Sequence, residues 1–268
     1  MKEGESKLSA EEYFAAEGIS NSMLGHLARS PAHFKYYLDN RATLEAEEKP
    51  YRTFGRVVHQ MIFEPMATAF FTVRPEGMDG RTKEGKQWAA DFKDFVQISA
   101  PDYRLMMGVA DSILNHPLAQ DILRFGAAEI ADFKESIDGR GILRKGRLDF
   151  VTEGNAIADI KTCLDARPRE FAKSIYSFAY HRQAAYYLDL WNDTHPDDQK
   201  TNFVLIAVEK TPPHNLSVMT LAKAAIEKGR TEYRNLLAIY TQCKKLDSWP
   251  GYEDTVTEID LPTWAYKI

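Results

Sequence analysis

Cysteine is nearly absent, with Cys163 and Cys243 the only two in 268 residues. Two thiols so far apart give neither a disulfide framework nor a zinc-type pair, and they suit a reducing compartment. No apolar run approaches the roughly 20 residues that span a bilayer, so no membrane partner is expected. The first residues, Met1-Lys2-Glu3-Gly4-Glu5-Ser6-Lys7, lack the apolar core of a secretory signal, and a cytoplasmic location is expected. Basic residues are not in excess: 34 Lys and Arg stand against 39 Asp and Glu, a formal net charge of -5. A broad non-specific nucleic-acid binder is expected to be basic. The balance argues against that class but allows a local basic channel beside an acidic site. Also missing are a G-x-x-x-x-G-K-[ST] phosphate loop, a G-x-S-x-G elbow and an H-E-x-x-H helix, which removes the chemistries those motifs carry.

What is present is a soluble globular composition, 44% hydrophobic and 27% charged, with a change of character near Ala127. Before it the chain reads as helical. Residues 1 to about 18 are polar and read as a frayed arm. Ser20-Asn21-Ser22 caps a helix through Met23, Leu24, Leu27 and Ala28, and Pro31 opens another with Phe34, Tyr37 and Leu38 on its apolar face. Arg41 to Pro50 reads as a charged loop. A helix from about Tyr51 to Phe63 ends at Pro65, and Ala69 to Val73 is a short extended piece. Arg74 to Gly85 is a loop, and helices are expected over Lys86–Val96, Tyr103–Asn115 and Pro117–Arg124.

After Ala127 strands and helices mix. Glu129 to Lys134 reads as a strand, Asp138-Gly139-Arg140-Gly141 as a turn, then Gly141–Phe150 and Ala156–Lys161 as a hairpin about Thr152-Glu153-Gly154-Asn155. Helices over Pro168–Phe178 and Tyr180–Trp191, strands over Phe203–Val208 and Leu216–Leu221, and a helix from Ala222 to about Lys245 complete it. This order predicts one domain: residues 1–125 a mainly helical layer, 126–246 an α/β core with a mixed sheet, and 247–268 a tail.

The hairpin carries the chemistry. Residues two apart on a strand point the same way, so Leu148 and Phe150 are expected on one side and Asp149 on the other. Asp159 and Lys161 share a face opposite Ala158 and Ile160. Paired carboxylates suit Mg²⁺, which keeps water and substrate phosphate in its shell. An isolated pair of aspartates reads more readily as a solvated sheet face, and Lys161 beside Asp159 is what tilts the balance, since an ammonium there can position water or stabilise an oxyanion. His59, among Val57, Val58, Met61 and Ile62, is either a core histidine or a ligand that Mn²⁺ tolerates better than Mg²⁺. Gln183 and Tyr187, four apart on one helix, share a face and either support the site or merely pack. Glu129 is either a further carboxylate of the site or an exposed strand residue. Arg140, Arg144, Lys145, Arg147, Arg167, Arg169, Lys173 and Arg182 cluster nearby, a set that suits phosphate-backbone contacts.

Asp149 followed ten residues on by Asp159-Ile160-Lys161 resembles the PD-(D/E)xK nuclease motif, with Leu148 in place of the proline of the motif's name. Gly55-Arg56-Val57-Val58-His59 upstream, with Glu64-Pro65, and Gln183-Ala184-Ala185-Tyr186-Tyr187 downstream make the ordered set similar to the RecE/RecB-like branch over about Ser20 to Leu246. The resemblance implies a restriction-endonuclease-like core. It makes His59, Asp149, Asp159 and the Ile160 carbonyl metal ligands, Lys161 catalytic, and Gln183 and Tyr187 supports of site and DNA. It implies a Mg²⁺-dependent exonuclease acting 5′ to 3′ on double-stranded DNA ends in recombination, commonly as a ring and with a single-strand annealing protein as partner. A structure- or site-specific endonuclease, or a non-catalytic DNA-binding protein on the same fold, are the alternatives.

Overall fold

The computed structural model describes residues 4–6, 8–46, 50–135 and 141–266. In chain order the elements are β1 (Gly4–Ser6), α1 (Ala10–Ala15), α2 (Asn21–Arg29), α3 (Pro31–Asp39), α4 (Arg41–Ala46), α5 (Pro50–Phe63), β2 (Phe71–Val73), α6 (Lys83–Asp91), β3 (Val96–Ile98), α7 (Ala100–Leu114) and α8 (Pro117–Ile122). Then come β4 (Gly126–Glu135), β5 (Leu143–Thr152), β6 (Ala156–Cys163), α9 (Pro168–Ser177), α10 (Tyr180–Thr194), β7 (Asn202–Glu209), β8 (Leu216–Thr220) and α11 (Lys223–Leu246), with a 3₁₀ turn at Thr263–Tyr266. The helix starts follow local chemistry. Ser20 and Ser30 accept from the Met23 and His33 amides, and Pro31, Pro117 and Pro168 occupy first-turn positions where no intrahelical donor is needed.

Six strands form one sheet in the order β1-β4-β5-β6-β7-β8, antiparallel except for β6 beside β7. Helices cover both faces. One core joins α2, α3, α10 and α11 to the sheet through Leu24, Phe34, Tyr186 and Leu237, and the other joins α5, α7 and α8 through Val57, Ile113 and Ala119. Strand β7 feeds both, Phe203, Leu205 and Ala207 into the first and Val204, Ile206 and Val208 into the second, which is why it reads as an unbroken apolar run.

Four expectations are corrected. The N-terminal arm is built into the fold: Gly4–Ser6 pairs with Phe133–Ala131, and Ser9 and Glu12 close a capping box on α1. Arg41 to Ala46 is helical, supported by the Arg41–Glu45 ion pair at i,i+4, and residues 47–49 lie outside the described residues. The helix expected to reach Val96 is α6 and ends at Asp91; Val96 instead pairs with Phe71 in a small parallel sheet. The Asp138–Arg140 part of the predicted turn lies outside the described residues.

The fourth correction concerns the strands of the site. Leu148 packs in the core beneath α10, whereas Phe150 packs in the core beneath α5. Ala128 and Ile130 divide the same way. The pairing of β4 with β5 keeps one register on either side, Ala128 to Phe150 and Ile130 to Leu148, but lapses between them, at Glu129 and Asp149. Glu129 has φ 55, a left-handed conformation that a side chain other than glycine rarely adopts. It turns the strand over, so the simple alternation of two fails there. Strained backbone of this kind persists only where its surroundings hold it.

Candidate active site

Strands β5 and β6 share only two paired positions, Phe150 with Ala158 and Val151 with Ile157. The next residues along, Asp149 and Asp159, therefore face each other where the strands part. Asp149 Oδ2 fills the gap by accepting the Ile160 amide at 2.9 Å. The opening admits a side chain from each face of the sheet. From α5, His59 reaches Asp149 Oδ2 with Nε2 at 3.5 Å and Glu129 Oε1 with Nδ1 at 3.3 Å. From α10, Gln183 Nε2 donates to Asp159 Oδ1 at 2.8 Å. Lys161 Nζ lies 2.5 Å from Asp159 Oδ2 as a close ion pair, and 4.8 Å from the centre of the Tyr180 ring. Arg147 Nε stands 2.9 Å from Glu129 Oε2.

Burial sets the electrostatics. Asp159 is 1% exposed, and its desolvation, reinforced by Asp149, pushes its carboxyl up to about 6 despite Lys161 and His59. Burial alone would pull the His59 imidazole down. The carboxylates of Asp149 and Glu129 outweigh it and hold the ring up to about 9, so His59 is a cation at neutral pH. Desolvation likewise works against the Lys161 ammonium, and Asp159 and Asp149 overcome it and raise it above its ordinary value.

Residues 20–260 match the model of a family described as a PDDEXK-like domain of unknown function (DUF3799). The chain belongs to this family. The fold agrees: a crystal structure of a candidate exonuclease from Eubacterium rectale superposes with a TM-score of 0.60 at 13% identity, covering 98% of each chain. The structure of SSO0001 aligns at a TM-score of 0.32 and 11% identity over 71% of this chain and 89% of its own, too weak to bear on the fold. No curated protein matches. PDDEXK nucleases generally use divalent metal ions. Among the described residues, no three His, Cys, Asp or Glu side chains are arranged as a ready-made metal site. The carboxylates turn instead to His59, Arg147 and Lys161. The donors themselves suit a hard cation: two facing carboxylates and an imidazole.

Within this PDDEXK-like chain, the fold brings His59, Glu129, Asp149, Asp159, Lys161 and Gln183 together. Ile160 sends its side chain into the core beneath α5 while its amide holds Asp149. Tyr187 sits beside Gln183, near enough to Asp159 and Asp149 for their charges to act on its phenol. It is half-buried, packs toward Phe203 with ring centres 6.4 Å apart, and burial pushes its phenol well above its ordinary value. Its face of α10 lies so near β5 that a Cβ on Gly146 would stand 3.2 Å from the Tyr187 ring.

The basic cluster divides between buried members and exposed ones such as Arg167, Arg169 and Lys173. Arg144 is 3% exposed and pairs with Asp193 at 2.5 Å. Lys145, 1% exposed, donates to the Tyr13 and Ala16 carbonyls at 2.9 and 2.7 Å. Arg182 is buried against Asn21, Arg167 and Lys173 pair with Asp165 and Glu170, and Arg140 lies outside the described residues. The residue of this set that reaches the site is Arg147, two before Asp149. A groove of about 790 Å³ between α5, β3 and α7 is lined by Phe54, Phe95, Met106 and Lys210 and contains none of the site residues.

Proposed function

We propose that the protein is a metal-dependent deoxyribonuclease, a 5′ to 3′ double-strand exonuclease of the RecE-like kind acting in recombination. The observation that carries this reading is the parting of β5 and β6. It leaves Asp149 and Asp159 face to face with Lys161 alongside, His59 on one carboxylate and Gln183 on the other. His59, Asp149, Asp159 and the Ile160 carbonyl would hold Mg²⁺, or Mn²⁺, with Glu129 as a further carboxylate behind His59. The ion, when bound, supplies an activated water and charge stabilisation on the phosphoryl oxygens.

The chain's own groups do the rest. Lys161, held charged by Asp159 and Asp149, positions the attacking water and offers its ammonium to the oxyanion that develops on the phosphate. Gln183 fixes the Asp159 carboxylate through Oδ1, leaving Oδ2 turned to the Lys161 ammonium. Glu129 and Arg147 hold His59 toward Asp149, and Tyr187 packs the helix that carries Gln183. The Eubacterium rectale relative, itself a candidate exonuclease, supports the same reading. The substrate is double-stranded DNA entered from an end. A ring of copies around that DNA and a single-strand annealing protein as partner belong to the same proposal.

Linear duplex DNA labelled at the 5′ or the 3′ terminus, incubated with and without Mg²⁺, tests it. Early release of the 5′ label, only with the ion, and no attack on covalently closed circles is the expected result. Cutting of closed circles would make the protein an endonuclease, and no hydrolysis under any ion would leave a DNA-binding protein on a nuclease fold.

A further inference from the structure

Helices α9 and α10 are separated by two residues, Phe178 and Ala179, and Ala179 holds a left-handed turn with φ 53. The turn sends the residues on either side of it in different directions. Gln183 and Tyr180 go to the site, while Phe178, which caps the C-terminus of α9, is held out in solvent, 67% exposed. Scattered exposed apolar residues are ordinary. Phe178 differs in what stands behind it. Its ring centre is 5.7 Å from that of Tyr180, and Tyr180 is 6.0 Å from Phe171, which is 1% exposed and anchored in the core. The inner face of the row is set by Lys161, whose ammonium sits 4.8 Å from the Tyr180 ring centre. An exposed aromatic ring is thus rigidly backed from the core and stands one ring beyond the lysine at the paired aspartates.

We propose that Phe178 forms a nucleobase subsite, in which the base of the nucleotide next to the scissile phosphate stacks on its ring. The proposal rests on the nuclease reading, because it takes Lys161 and Asp159 as marking the position of the phosphate. A base is a flat π surface joined to its phosphate through one sugar, so a phosphate at Lys161 places a base within reach of the next ring along. Stacking of this kind tolerates any base and holds a strand by position. The chemistry fits an enzyme that must grip whatever nucleotide arrives. Phe178 is a positioning residue, and the hydrolytic groups lie elsewhere.

The test uses the full chain and short duplexes carrying 2-aminopurine, or one abasic site, at successive positions from the end. Binding is read in EDTA, where hydrolysis is blocked, and turnover in Mg²⁺. In the wild type one position of 2-aminopurine is expected to be quenched on binding. Phe178→Tyr keeps the quench and Phe178→Ala loses it. Phe178→Ala is also expected to raise KM about tenfold with kcat little changed. An abasic site at the quenched position should impose the same loss on the wild type and add nothing to Phe178→Ala. Equal KM and equal quenching for wild type and Phe178→Ala overturn the subsite while wild-type hydrolysis leaves the nuclease reading intact. A wild type that neither binds nor cuts DNA overturns both. A change in sedimentation of the DNA-free Phe178→Ala chain, with DNA binding unaltered, assigns the ring to an interface between copies and also overturns the subsite.

Discussion

Without a bound metal ion, His59 is predicted to be a pH-dependent clamp on the fold, and replacing it should remove that dependence. The imidazole is held up to about 9 against an ordinary value of 6.5. Each pH unit of such displacement is worth about 1.4 kcal/mol, which gives about 3 kcal/mol. The side chain is 24% exposed, so water screens part of this, and about 2 kcal/mol is the expected contribution. A group whose folded value is raised stabilises fully below its unfolded value, and the contribution fades as pH climbs through the folded one. The metal-free protein should therefore lose about 2 kcal/mol between pH 6.5 and 9 through this residue. Urea unfolding in EDTA across that range measures it, with His59→Gln as the reference. Lys145, whose burial pulls its ammonium down to about 8, acts in the opposite sense at the upper end, and the difference between the two curves isolates His59. Metal ligation requires the neutral imidazole. Excess Mn²⁺ should thus reverse the slope in the wild type, because binding strengthens as the proton leaves. Parallel curves for wild type and His59→Gln in EDTA would refute the reasoning.

Other outcomes follow from the same geometry. Lys161→Ala removes the ammonium from both carboxylates, and a loss of about 100-fold or more in kcat is expected with an unchanged far-UV spectrum. Gln183→Ala frees Asp159 Oδ1 from its 2.8 Å bond, and single-turnover rates should fall about tenfold while DNA affinity measured in EDTA holds. Gly229→Ala is expected to destabilise by about 3 kcal/mol in urea without altering the site, because the new Cβ would sit 2.2 Å from the His181 carbonyl oxygen where α11 crosses α10. Arg147→Met should lower Mn²⁺ affinity severalfold by isothermal titration, since it releases the carboxylate that holds His59.

The elements that could be read from the chain are those whose chemistry is local. Leu205 and Ala207 against Val204 and Ile206 show a strand buried on both sides, and Asp159 with Lys161 declare their shared face by spacing alone. What escaped is non-local. Glu129 remained even between site and surface because its place depends on a left-handed backbone opposite Asp149, which no side-chain pattern announces. The same turn defeated the expectation for Leu148 and Phe150. Gly4–Ser6 is too short to show a period, and its strand exists only because β4 offers it an edge. Arg144 and Lys145 look like phosphate contacts in the sequence but spend their charge on Asp193 and on the carbonyls of the first helix. Arg147 carried a usable signal, since it lies two residues before Asp149 on the same strand.

The central claim is that the parted strands hold an ion-dependent hydrolytic site, and Asp149→Ala tests it most directly. Asp149 faces Asp159, takes the Ile160 amide and meets His59. Hydrolysis of linear duplex DNA should be present in the wild type with Mg²⁺, absent in EDTA and absent in a folded Asp149→Ala protein with Mg²⁺. Undiminished hydrolysis by Asp149→Ala would contradict the account.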